Sequence, residues 1–123
     1  MRAEITSYQS RVEKWLEACF PLSVRLDRSE RTHRFLEDAL ELAQANGCTR
    51  ADALALVDYV FGRPSGQPAQ EVGGVMVTLA SLCSASNINM NEAGDGELDR
   101  NWDRIEQIRA KQQSKQHGSP LPK

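Results

Sequence analysis

The chain has 123 residues, 40% of them hydrophobic, with 15 Lys and Arg against 17 Asp and Glu for a formal net charge of -2. That length supports one domain-sized core and no second one, and the balanced charge excludes the basic excess with which a protein meets nucleic acid. Cys19, Cys48 and Cys83 are odd in number, widely spaced and without a CxxC pair, so neither a disulfide framework nor a zinc site is suggested and the three read as reduced, small hydrophobes.

Met1 to Ser10 mixes Arg2, Glu4 and polar residues where an export signal needs a continuous apolar run. The richest apolar stretch, Val72 to Cys83, is broken by two glycines, a threonine and a serine and is too short for a bilayer. A cytoplasmic location with no membrane partner is the expectation. Helical periodicity then runs along nearly the whole chain, which predicts an all-α bundle of about five helices. Ile5, Tyr8, Val12, Trp15, Leu16 and Cys19 draw one apolar stripe on a first helix that Pro21 stops. Asp27 with Glu30 resembles a capping pair and opens a second helix from about Arg28 to Asn46, closed at Gly47. Thr49 with Asp52 repeats the signal for a third helix carrying Leu54, Val57, Val60 and Phe61, closed by Gly62. The breakers in Gly62-Arg-Pro-Ser-Gly-Gln make a loop. Pro68 suits the first turn of a fourth helix that continues to about Ser86, and Asn89 with Glu92 starts a fifth that ends near Gln113. Residues 1–113 are thus expected to form a single helical domain, and 114–123, with Gly118, Pro120 and Pro122, an extended or disordered tail. No internal repeat is evident.

The charges on these helices carry more information than the helices themselves. On the second helix Phe35, Leu36, Ala39, Leu40, Leu42 and Ala43 fill the apolar arc, while Glu30, Glu37, Glu41 and Gln44 fall within about 60° of one another at its edge. Arg34 among these carboxylates suits intrahelical ion pairs on a solvated face, the plainer reading of the ridge. The fourth helix is apolar or small nearly all round and is expected to be central and buried, with Glu71 as its only ionisable residue. A buried lone carboxylate needs a partner, a proton or a metal, unless it sits close enough to the helix start to reach solvent and the dipole. Gly73 and Gly74 each cost the helix about 1 kcal/mol relative to Ala, so some close approach, by a helix or a ligand, must offset them.

Two carboxylates one turn apart with a third on a neighbouring helix suit Mg²⁺, which takes a few carboxylates and leaves positions for water and phosphate oxygens. Glu37-Asp38-Ala-Leu-Glu41, followed by Glu71 in Gln-Glu-Val-Gly-Gly, resembles the E-E-x-x-E and E-x-x-D signature of the MazG-like all-α nucleoside triphosphate pyrophosphohydrolases, a superfamily that includes dimeric dUTPases and HisE-type phosphoribosyl-ATP hydrolases. The resemblance spans about Arg31 to Lys111. It implies hydrolysis between the α- and β-phosphates of a nucleoside triphosphate to a monophosphate and pyrophosphate, as in nucleotide housecleaning. It further implies Mg²⁺ on Glu37, Glu41 and Glu71, a carboxylate, Glu41 or Asp38, that orients the attacking water, and a homodimer or homotetramer with sites beside subunit interfaces. Arg104 and Lys111, on a face with Arg100 and Lys115, are placed where relatives bind phosphate; a solvated basic face interleaved with Asp99, Asp103 and Glu106 is the plainer alternative. Gly74 stands where the signature has its last aspartate, which removes an oxygen ligand that Asp58 or Glu30 is left to replace. His33 and His117 are too isolated for a hydrolytic triad, and Trp15 suits the core better than a base-stacking role. A catalytically reduced nucleotide-binding or oligomer-forming module is the competing expectation.

Overall fold

The computed structural model describes residues 7–114, and all regular structure among them is helical. The described elements are α1 (Tyr8–Cys19), α2 (Leu22–Arg25), α3 (Arg28–Ala45), α4 (Arg50–Phe61), α5 (Pro68–Ala85), α6 (Met90–Asp103) and α7 (Ile105–Gln113). The all-α class is as expected, but the count is seven and not about five. The two additions have separate causes. Pro21, having stopped α1, is itself the N-cap of the single turn α2. The expected fifth helix divides at Arg104, whose backbone leaves helical values at φ −118° and ψ 25°. The tail expected over 114–123 lies, apart from Ser114, outside the described residues.

Helix starts follow their caps closely. Asp27 Oδ1 accepts from Glu30 N at 3.1 Å, Thr49 Oγ1 accepts from Asp52 N at 3.1 Å, and Pro68 opens α5. Two helix ends share one geometry. Gly47 (φ 87°) and Asn87 (φ 56°) both adopt left-handed backbone, Cys48 N donates to Ala43 O at 3.0 Å, and Ile88 N donates to Cys83 O at 2.9 Å. The same link therefore occurs twice, forty residues apart, where the sequence alone showed no repeat. Only residues tolerant of that conformation, and the polar caps Thr49 and Asn89, betray it in the letters.

The chain divides into two units, one comprising Met1–Phe35 with Asn91–Lys123 and the other Leu36–Met90. The first owns a small core. Trp15, Cys19, Phe20 and Leu98 are buried, with Val12, Leu16, Val24, Ile105 and Ile108 packed on them, and the Trp15 and Phe20 rings meet edge to face at 5.8 Å. Tyr8 Oη donates to Gly94 O at 2.8 Å, and any Cβ at position 94 would press on the Tyr8 ring. Arg109 on α7 donates through Nε to Cys19 O at 2.9 Å and through Nη2 to Ala18 O. A guanidinium thereby satisfies two of the carbonyls that the end of α1 leaves without helical partners.

The second unit differs sharply. None of its residues is buried: α5, expected to be the central buried helix, has no buried residue, and Val77 is 69% exposed. The physical reason is that α3, α4 and α5 touch one another only sparsely, so no neighbour within the unit lies over the apolar side chains. Among the described residues no single helix is long and apolar enough to cross a membrane.

Candidate functional site

Glu37, Asp38, Glu41, Asp58 and Glu71 fall in the second unit, and Glu30 in the first. Uninterrupted α3 places Glu37 and Glu41 one turn apart on one face, with Cβ atoms separated by about 5–6 Å. Glu37 is half-buried and Glu41 exposed; Asp38, one residue on from Glu37, is also exposed.

Glu41 borders a cleft of about 340 Å³ between the end of α3 and the start of α4. Leu40, Ala43, Ala53, Leu54 and Val57 give it apolar walls, and Gln44, Cys48, Thr49 and Arg50 complete the lining. The link at Gly47 creates this cleft by turning the chain within four residues, so that the first turn of α4 comes to border it. Arg50 is the residue that the sequence reading missed. It follows the Thr49 cap directly and shares the first turn of α4 with Asp52.

Glu71 is not the buried carboxylate that the apolar character of α5 suggested. It is exposed, in the first turn of α5, with its carboxylate folded over Gly66, where an added Cβ would collide with it. There the dipole favours an anion without any metal. Among the described residues no three His, Cys, Asp or Glu side chains converge closely enough to hold a metal ion.

The remaining candidates are placed as follows. The Glu30 carboxylate is taken by Arg34, at 3.2 Å, and flanked by Arg31 at 3.7 Å, the intrahelical pairing expected of a solvated ridge. Asp58 is exposed on α4, and its carbonyl caps the helix end by accepting from Gly62 N at 2.9 Å. Arg104 and Lys111 are exposed residues of the first unit. The break at Arg104 interrupts the continuous helical spacing that put them on one face with Arg100, which pairs with Glu97 at 2.6 Å. Lys115 and His117 lie outside the described residues.

No known protein family, curated protein or solved structure matches the chain.

Burial decides the two shifted thiol and phenol groups, both in the first unit. Desolvation pushes the Cys19 thiol up, against the pull of Arg109 and Arg31. Desolvation likewise raises the Tyr8 phenol, with Arg11 opposing. Desolvation lowers Arg31, while Glu30 raises it. None of these groups belongs to the cleft, where Glu41 and Arg50 are both exposed.

Proposed function

We propose that the chain is a Mg²⁺-dependent nucleoside triphosphate pyrophosphohydrolase, releasing a nucleoside monophosphate and pyrophosphate. The observation that carries this reading is the Glu37–Glu41 pair, one turn apart, beside a cleft whose apolar walls end in Arg50. Mg²⁺ is commonly held by one or two carboxylates plus phosphate oxygens and water, so the hard oxygen donors of this pair suit it. Glu71, which the described structure does not gather with that pair, is the third ligand that the resemblance implies, and a bound Mg²⁺ would supply charge stabilisation for the phosphates.

The chain's own groups then have distinct tasks. The apolar walls of Leu40, Ala53, Leu54 and Val57 offer a surface against which a base packs and from which water is excluded. Arg50 and the N-terminal amides of α4 meet phosphate charge. Glu41, with Asp38 as the alternative, orients a water molecule and takes one of its protons as the water oxygen bonds to phosphorus. The bond between that phosphorus and the bridging oxygen breaks, and pyrophosphate carries away the electron pair.

A second reading, a nucleotide-binding module with reduced or no catalysis, is favoured by Gly74 in place of a carboxylate and by the absence of a converging acidic trio among the described residues. Pyrophosphate release from a panel of triphosphates with Mg²⁺ separates the two. The hydrolase reading expects turnover that Glu41→Gln lowers by about a hundredfold or more, the scale of a lost acid–base group. Binding of a triphosphate without release of pyrophosphate supports the second reading, and neither binding nor release overturns both.

A further inference from the structure

An asparagine followed by glycine carries its own reagent. Glycine has no Cβ to shield its amide nitrogen, and that nitrogen stands within reach of the preceding carboxamide carbon, five atoms making a ring. Asn46-Gly47 is the one Asn-Gly pair in the sequence. It forms the turn between α3 and α4, and both residues are exposed.

The fold ties down each atom that the reaction needs. Asn46 Nδ2 donates to Leu42 O at 3.1 Å, and Asn46 Oδ1 accepts from Ser86 Oγ at 3.1 Å. Gly47 N, the nucleophile, donates to Gln44 O at 3.0 Å. These three bonds differ in origin. Those to Leu42 and Gln44 close within four residues and reform with the helix end itself. The bond from Ser86 comes from forty residues away, at the end of α5, and holds only while the two links stay together. An exposed bond of this kind opens at low free energy, well before the chain unfolds.

We infer that Asn46 is a deamidation site, that Ser86 guards it, and that its conversion undoes the link between α3 and α4. Gly47 N gives its proton to hydroxide and bonds to Asn46 Cγ, Nδ2 takes a proton and leaves as ammonia, and a succinimide ring closes. Water then adds to one ring carbonyl and that carbon releases the nitrogen, which leaves aspartate or isoaspartate. Water is the sole co-reactant. Either product sets a carboxylate at the C-terminal end of α3, against the helix dipole, and removes the Nδ2 donor from Leu42 O. Isoaspartate also lengthens the backbone by one atom in the turn that brings Arg50 to the cleft. The inference stands apart from the hydrolase reading.

The test follows conversion at residue 46 of the full-length chain by peptide mass spectrometry at mildly alkaline pH, in buffer and in urea. Asn87, Asn89, Asn91 and Asn101 serve as clocks in the same sample. Asn46 is expected to convert first of the five. Each neutral hydrogen bond is worth about a fivefold change in population, so three should hold the native rate about a hundredfold below the rate in urea. Ser86→Ala is expected to raise the native rate about fivefold and leave the rate in urea unchanged, and Ser86→Thr, which keeps the hydroxyl, to restore it. Asn46→Asp reproduces one product and is expected to lower the thermal midpoint read by circular dichroism. Native conversion at Asn46 no faster than at Asn101 overturns the site. A native rate that Ser86→Ala leaves unchanged, or raises only in proportion to Asn101, overturns the guard. An Asn46→Asp midpoint equal to wild type overturns the loss of the link.

Discussion

Arg109 stands to α1 as a removable cap. Replacing it with Met keeps the aliphatic stem and deletes the guanidinium, which returns Cys19 O and Ala18 O to the unsatisfied state of a helix end. A hydrogen bond from a charged donor contributes about 1.5–3 kcal/mol, and the partly buried bond to Cys19 should sit in that range while the exposed one to Ala18 counts for less, giving a loss of about 2–3 kcal/mol. At about 3–5 °C per kcal/mol for a chain of this size, the melting temperature should fall by about 10 °C. Trp15 and Trp102 both lie in the first unit, so tryptophan fluorescence during urea or thermal unfolding reads the affected region directly. Arg109→Lys presents a compact ammonium where two divergent carbonyls need a fork, and should recover less than half of the loss. A melting temperature for Arg109→Met within about 2 °C of wild type would refute the capping account, because two carbonyls left without partners cannot be that inexpensive.

Other perturbations address the thiols, the phosphate contacts and the third acidic residue. Cys19 and Tyr8 are held protonated by desolvation to higher pH than in the unfolded chain, so stability should be full below their unfolded pKa values and fall as pH rises through the folded ones; urea midpoints that stay level from neutral to strongly alkaline pH would contradict this. Iodoacetamide at neutral pH should modify half-buried Cys48 and Cys83 well before Cys19, as read by peptide mass spectrometry. A bulky maleimide on Cys48 should obstruct the cleft and weaken triphosphate binding, whereas Cys48→Ala should be insensitive to the reagent. Arg50→Ala, at an exposed position of the cleft, should lower triphosphate affinity in calorimetry with little change in melting temperature; unchanged affinity removes Arg50 from the phosphate contacts. If Glu71 holds Mg²⁺, Glu71→Gln should shrink the rise in melting temperature that Mg²⁺ gives wild type, and equal rises in the two proteins would remove Glu71 from the ligand set.

Local chemistry was legible in the letters and tertiary exposure was not. Asp27, Thr49 and Pro68 each mark a helix start that the structure uses, because a cap acts within three residues and needs no distant partner. The break at Arg104 carries neither proline nor glycine, so periodicity ran through it. Glu71 shows the deeper limit. An apolar helix announces that it will be covered, but not by what, and a carboxylate at its first turn looks buried only if the covering element is assumed to come from the same chain. Glu37 and Glu41 were found by their spacing, which helical geometry fixes. Arg50 was given no place because a cation was sought at the far end of the chain, and only the turn at Gly47 brings Arg50 to the cleft that Glu41 borders.

The twin links at Gly47 and Asn87 do more than resemble each other. Ser86 Oγ donates to Asn46 Oδ1 at 3.1 Å, and these two residues occupy corresponding places in the two links. The hydrogen bond that joins the two links therefore runs between matching positions of the two. Each preceding helix is eighteen residues long, and the register that superposes Gly47 on Asn87 sets Glu37 against Val77, Glu41 against Ser81 and Arg50 against Met90. The two links thus share one backbone geometry while the helices before them differ in charge: α3 carries several carboxylates and guanidinium groups, and α5 carries Glu71 as its one charged residue. In a chain arranged this way, the charge of either helix can vary without disturbing its link, provided that neither Gly47 nor Asn87 is exchanged for a β-branched residue that resists left-handed backbone.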